Sequence, residues 1–100
     1  MAPTLDKKQV RYLKALAHHL SPLSLVGKGG LSGEFIGQVR QTLRDHELVK
    51  VKFNEFKDEK KVLAVELAAR TNSALVGMLG NIATLYAPHP EVKRRKIKLP

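Results

Sequence analysis

The stretch Gly27-Lys28-Gly29-Gly30 brings together residue types that can hold a phosphate group. It follows a short apolar run, 23–26, and precedes an amphipathic pattern that begins after Ser32. Glycines lack a Cβ, so their main-chain N–H groups can approach a ligand closely. A helix that follows would direct its partly positive N-terminus toward an anion, and Lys28 adds a full charge. The stretch therefore predicts a phosphate-binding loop. The alternative is a plain strand-to-helix turn, because turns commonly require glycine.

The charge balance of the chain points to the same class of partner. Eighteen Lys and Arg face nine Asp and Glu in 100 residues, a formal net charge of +9. Such an excess attracts polyanions, chiefly nucleic acid or an anionic membrane face. The segment Glu91–Lys98 carries five of the cations and one acid, so about half of the excess lies elsewhere. We divide the chain into a domain, 1–90, and a basic C-terminal tail, 91–100, which we expect to be a solvated end.

Several function classes are disfavoured by the composition. The chain has no Cys, which excludes disulfides, thiolate metal sites and a cysteine nucleophile. No apolar run approaches the ~18 residues of a membrane span, and the first residues lack the form of a signal peptide. The four histidines show no metal-ligand spacing, and no catalytic triad or carboxylate pair is evident. We expect a cytoplasmic protein that is not an enzyme and has no cofactor, metal, membrane or small-molecule partner.

Hydrophobic periodicity predicts an α/β fold. Apolar residues recur at helical spacing in three stretches and as short or alternating runs in four others. Gly80-Asn81 separates the last two runs and is typical of a hairpin turn. The predicted helices cover about 7–19, 33–45 and 58–70, and the predicted strands 23–26, 48–53, 74–79 and 82–87. We expect a compact single-domain two-layer sandwich of order α-β-α-β-α-β-β, with the helices on one face of a four-stranded mixed sheet.

Cationic side chains recur in register on these predicted elements. A stripe without an interleaved acid runs along the first helix, two arginines lie on the polar side of the second, and two lysines alternate with the apolar face of a strand. We expect aromatic stacking to contribute little, since only Tyr12, Phe56 and Tyr86 are candidates for an exposed ring. The candidate binding residues outside the glycine loop are Lys7, Arg11, Lys14, His18, Arg40, Arg44, Lys50 and Lys52.

Four stretches together resemble the YhbY-like proteins, which consist of a single CRM (chloroplast RNA splicing and ribosome maturation) domain. These are the segments 13–18, 27–31, 46–52 and 95–100, in order and over nearly the whole chain. The resemblance implies a fold similar to the C-terminal domain of a bacterial translation initiation factor. It also implies a stand-alone protein that associates with precursors of the large ribosomal subunit. In that family the Gly-x-x-Gly loop, here 27–30, and basic surface residues contact RNA.

The charge predicts a nucleic-acid partner, and the resemblance implies a ribosome assembly factor whose partners are ribosomal RNA and the precursor large subunit. We expect a monomer. A structural ribosomal protein or a general RNA-binding or chaperone module would share its size and charge. A nucleoside triphosphatase is disfavoured, because Lys28 is followed by Gly29 where the Walker motif has Ser or Thr. A peripheral membrane protein is disfavoured because the first helix lacks interfacial Trp or Phe.

Overall fold

Three helices and four strands alternate along the chain in the predicted order. The computed structural model describes residues 2–100. Ser32 caps the second helix as predicted, since its hydroxyl accepts a hydrogen bond from Phe35 N at 3.1 Å. Asp6 and Gln9 form a capping box on the first helix. The elements are α1 (Lys7–Ala17), β1 (Ser24–Val26), α2 (Gly33–His46), β2 (Leu48–Phe53), α3 (Lys60–Arg70, preceded by a 3₁₀ turn at Lys57–Glu59), β3 (Ala74–Leu79), β4 (Ile82–Tyr86) and a 3₁₀ turn at Val92–Arg94.

The four strands form one mixed sheet in the order β1-β2-β4-β3, which confirms the predicted sheet. β1 runs parallel to β2, whereas β4 is antiparallel to both β2 and β3. Gly80-Asn81 makes the β3–β4 turn, with Gly80 at φ +59°. Phe53 N donates to Asn81 O at 2.7 Å and Asn54 N donates to Val26 O at 3.1 Å. The ends of β1 and β2 and the hairpin turn therefore lie at one edge of the sheet, together with the glycine loop.

The larger part of the core lies between one sheet face and the helices α2 and α3. The alternation in β2 places Val49, Val51 and Phe53 on this face, and all three are buried. Each helix contributes one apolar stripe at helical spacing. The buried helical residues of this cluster are Ile36, Val39 and Leu43 from α2, and Ala64, Leu67 and Ala68 from α3.

Helix α1 packs on the opposite face of the sheet, so the expectation of a two-layer sandwich with every helix on one face is wrong. Leu13 and Ala17 of α1 pack with Leu48, Val76 and Tyr86 in a second buried cluster. These strand residues occupy the alternate positions, whose side chains point away from α2 and α3. The fold is α/β as predicted, with the sheet sandwiched between two helical layers. Helix α1 covers only part of the sheet face on which it packs.

The C-terminal segment packs beside α1, so the expectation of a solvated end is wrong. Ile97 and Leu99 lie against the second cluster. Gln9 Nε2 donates to Pro100 O at 3.4 Å, and Lys96 Nζ donates to Asp45 O at 2.8 Å. Apolar contacts and hydrogen bonds hold this segment in place. The division of the chain at residue 90 remains a prediction.

Candidate nucleic-acid interface

The glycine loop forms a tight turn directly after β1. Gly30 N donates to Gly27 O at 3.0 Å, and Gly30 has a φ of +63°. A Cβ on Gly30 would also lie 3.4 Å from the Phe56 ring. Neither Gly27 nor Gly29 has a positive φ, and a Cβ on either would meet no atom within 4 Å. The fold thus requires glycine at position 30, whereas the other two glycines leave open space beside the main chain.

The cations of α1 form an exposed stripe that reaches the sheet. Lys7, Arg11, Lys14 and His18 are all exposed, at spacings of three and four residues. Lys14, His18 and the strand residue Lys50 line one cavity of about 300 Å³ between α1 and the sheet. Lys50 Nζ also donates to Leu20 O at 3.0 Å, just beyond the C-terminal end of α1. The structure therefore brings together cations that lie more than thirty residues apart.

Lys52 extends these cations toward the loop. It shares a sheet face with Lys50 because strand side chains alternate. In the parallel register Lys52 pairs with Leu25, two residues before the loop begins. We call the surface formed by these cations the basic face. It extends to the end of the sheet at which the glycine loop lies, and its members are Lys7, Arg11, Lys14, His18, Lys50 and Lys52.

Arg40 and Arg44 lie apart from the basic face. Both are exposed on α2, which covers the other side of the sheet. With Arg95 and Asn72 they line a second cavity, of about 540 Å³. Arg95 Nε donates to His89 O at 2.9 Å, which holds the guanidinium group in place. The predicted site residues thus divide into two groups, the basic face with the loop and a separate cluster of arginines.

In the part of the chain that the structure describes, no cation of either group forms an ion pair with a carboxylate. Within residues 2–100 the ion pairs are Arg70 with Glu66, at 3.3 Å, and Arg94 with Glu91, at 3.2 Å. Both pairs are largely exposed and lie within single helical turns, where such pairs contribute little to stability. No predicted site residue takes part in either. Their charge is available to an external anion.

Glu47 is a buried carboxylate that the sequence analysis missed. It is 1% exposed and has a φ of +65° at the C-terminal end of α2. Its Oε2 accepts a hydrogen bond from His89 N at 2.8 Å, and its Oε1 accepts from Lys96 N and from Ile97 N, the latter at 3.0 Å. The carboxylate therefore fixes the C-terminal segment and its cations. No spacing pattern signals these contacts, because they span more than forty residues of chain.

The three aromatic side chains that were candidates for exposed rings differ in how far they are exposed. Tyr12 and Phe56 are about 40% exposed, as expected, but Tyr86 is 3% exposed, so its assignment as an exposed ring is wrong. Burial raises the pKa of Tyr86, and the nearby Glu47 carboxylate raises it further, while Arg95 acts in the opposite direction. Tyr86 is part of the core beneath α1 and offers no stacking surface.

Among the described residues, 2–100, no three His, Asp or Glu side chains come together as metal ligands. No helix among them has the length and apolar character to cross a membrane.

Comparison with known proteins places the chain in a family. A 40% identical RNA-binding protein of Haemophilus influenzae aligns over 97% of this chain and 96% of its own length. The probable RNA-binding protein YqeI of Bacillus subtilis is 38% identical over 96% of this chain and 99% of its own. The solution structure of a hypothetical Staphylococcus aureus protein, proposed to bind RNA, superposes with a TM-score of 0.78 at 39% identity, covering 97% of this chain and 100% of that one. The family model of the CRS1/YhbY (CRM) domain matches residues 5–87. With relatives aligned over almost their full lengths, this chain belongs to the CRS1/YhbY (CRM) domain family.

Proposed function

We propose that this protein binds ribosomal RNA and associates with precursors of the large ribosomal subunit as an assembly factor. The relatives named above are described as RNA-binding proteins, and the net charge of +9 suits a polyanionic partner. The function requires no chemical step, so the protein acts by binding and not as an enzyme.

The observation that carries the proposal is the convergence of unneutralised cations on one side of the sheet. Lys14, His18 and Lys50 line a common cavity, and Lys52 continues the basic face toward the loop. Each phosphate that such a surface neutralises releases bound counterions, which drives association without reading sequence. The basic face thus supplies affinity and orientation along an RNA backbone.

The glycine loop would contact one phosphate closely. Gly27 and Gly29 leave open space beside the main chain, and Lys28 is exposed between them. The N-terminus of α2, capped by Ser32, follows two residues after the loop and adds a favourable field for an anion. An RNA phosphate could therefore lie against the main chain while Lys28 neutralises it.

Substitutions in the loop test its part in the function. Lys28→Glu reverses the loop cation, and we expect RNA affinity to fall by more than tenfold, since one close charge reversal exceeds the loss of one contact. Lys61→Glu is the matched control, because Lys61 is equally exposed but lies on α3, behind the sheet. Gly29→Asp should act like Lys28→Glu, and Gly29→Ala should also weaken RNA binding, though less, because its Cβ enters the open space in which the phosphate would lie. If Lys28→Glu and Lys61→Glu bind RNA equally, the loop is only a turn.

Sedimentation of cell extracts tests the assembly role. We expect the protein to co-sediment with precursor large subunits and to be absent from mature ones. A permanent ribosomal protein would instead remain on mature subunits, and a general RNA chaperone would spread over many RNA species. Either of these distributions would contradict the assembly role while leaving RNA binding intact.

A further inference from the structure

The cavity between α1 and the sheet combines apolar walls with a cationic rim. Its apolar lining on the α1 side includes Ala17, Leu79 and Ile82, and its basic lining residues are Lys14, His18 and Lys50. None of the residues that line it, all within the described part of the chain, is acidic. A ligand that matches both features has a flat apolar body joined to an anion. A nucleotide has this composition.

The volume of the cavity limits what can enter. At about 300 Å³ it lies at the lower end of the range for small-ligand sites. It has room for one nucleobase and part of its sugar, and it is too small for a base pair. A base that enters must therefore be unpaired, as in a loop, bulge or single-stranded segment, which is where proteins commonly read RNA.

Gly77 shapes the wall of this cavity. A Cβ at Gly77 would lie 2.8 Å from Lys14 Cε and 3.4 Å from its Nζ, so the glycine allows the lysine side chain to lie across β3. The register of β3 is irregular between Leu75 and Gly77, and β3 is an edge strand. Edge strands leave main-chain N–H and C=O groups unpaired, and these can hydrogen-bond to the edge of a base. Bulges are frequent next to binding sites for this reason.

We propose that this cavity receives one unpaired nucleobase of the bound RNA, while Lys14, His18 and Lys50 hold the adjoining phosphates. The inference rests on the proposed RNA-binding function and adds to it a base-binding subsite distinct from the glycine loop. It makes the protein selective for RNA that contains an unpaired base beside a segment of backbone. A fully paired duplex would engage the cations alone.

Nuclear magnetic resonance on the intact chain separates base binding from phosphate binding. One probe is a short single-stranded oligoribonucleotide of mixed sequence, and the other is an abasic ribose-phosphate oligomer of the same length. We expect the methyl signals of Leu79 and Ile82 to shift with the oligoribonucleotide and to stay unchanged with the abasic oligomer. The amide signals of Lys28 and Gly29 should shift with both probes.

The outcomes distinguish this inference from the function on which it rests. If the loop amides respond but the two methyl groups do not distinguish the probes, the base-binding subsite is wrong and RNA binding stands. If neither the loop nor the cavity responds to either probe, RNA binding by this surface fails and the subsite fails with it.

A substitution that narrows the cavity gives an independent test. Gly77→Ala adds a methyl group and displaces the end of Lys14, and we expect affinity for the oligoribonucleotide to fall about tenfold, which corresponds to a loss of about 1.4 kcal/mol. Affinity for the abasic oligomer should fall no further than it does for Lys14→Ala. Gly37→Ala on α2 is the matched control, since its added Cβ meets no atom within 4 Å. Equal losses for both probes would mean that only the lysine was displaced and would overturn the inference. The measurement on the parent chain decides the matter even if Gly77→Ala does not fold.

Discussion

At the scale of single residues, Glu47 holds together parts of the chain that local structure leaves separate. Its buried carboxylate is satisfied by three main-chain N–H groups, two of them from the C-terminal segment. Hydrogen bonds to a charged group stabilise more than neutral ones, and a buried polar atom without a partner is costly. The positive φ of Glu47 is a further strain that these contacts offset.

Glu47→Gln should lower the free energy of unfolding by about 1–3 kcal/mol, because one acceptor oxygen becomes an N–H₂ group that faces an N–H donor. Denaturant unfolding at neutral pH measures this change. Glu55→Gln is the control, since Glu55 is exposed. Equal stability of the two variants would show that the charge and the second acceptor oxygen of Glu47 contribute nothing to stability.

Tyr86 should make stability depend on pH in the alkaline range. Its pKa is raised in the folded protein, chiefly by burial, so folding favours the neutral phenol. The contribution of Tyr86 to stability is fully present below the unfolded-state pKa of about 10 and is lost as pH rises through the folded-state pKa. Unfolding free energies of the parent and Tyr86→Phe, measured against pH, should converge or cross above about pH 10. Parallel curves would contradict the prediction.

At the scale of elements, the glycine loop contains one glycine that the fold requires and others that it does not. Gly30 has a positive φ and faces the Phe56 ring, whereas Gly29 has neither constraint. Gly30→Ala should therefore destabilise the fold by about 1 kcal/mol or more, and Gly29→Ala should leave it nearly unchanged or slightly more stable. Thermal unfolding of the two variants tests this difference. A larger loss for Gly29→Ala would mean that the turn has another backbone conformation.

The C-terminal segment behaves as a structural element of the domain. Removal of residues 91–100 deletes the apolar contacts of Ile97 and Leu99 and leaves the Glu47 carboxylate without two of its donors. We expect a loss of about 1–3 kcal/mol from the lost hydrogen bonds to the carboxylate, in addition to the lost apolar contacts. Circular dichroism during denaturation measures it. An unchanged midpoint of the denaturation curve would show that the segment is a solvated tail.

At the scale of the whole molecule, charge sets the mode of binding. Arg40 and Arg44 lie on α2, on the other side of the sheet from the basic face, so we expect one straight RNA segment to contact only one of these two surfaces. The basic face, with the loop, presents the larger set. We expect RNA affinity to fall steeply from low to physiological salt, because binding releases counterions.

The slope of log affinity against log salt concentration is proportional to the number of phosphates that the protein neutralises. Lys14→Ala and Lys52→Ala should each reduce the slope of log affinity against log salt by about 0.7 for single-stranded RNA. Arg44→Ala should leave the slope unchanged if the RNA occupies the basic face alone. Titrations at several salt concentrations provide the slopes. An equal effect of all three substitutions would show that both surfaces bind RNA.

Much of the fold could be predicted from local sequence because its signals are local. The 3.6-residue and two-residue periodicities predicted the helices and strands in order, and Ser32 and Gly80-Asn81 marked a cap and a turn correctly. The face on which α1 packs could not be predicted. Leu48, Val76 and Tyr86 give the second sheet face its apolar character, but that face also carries Lys50 and Lys52, so the pattern alone suggested solvent.

The sequence by itself determined the elements, the net charge and the glycine loop, since each depends on residues close together in the chain. Only the tertiary structure decided which cations share a surface. Arg44 and Lys50 are six residues apart but lie on opposite sides of the sheet, whereas Lys14 and Lys50 line one cavity. The role of Glu47 was likewise decided by contacts more than forty residues distant. Strand alternation and helix packing set these distances, and they depend on the whole chain being folded.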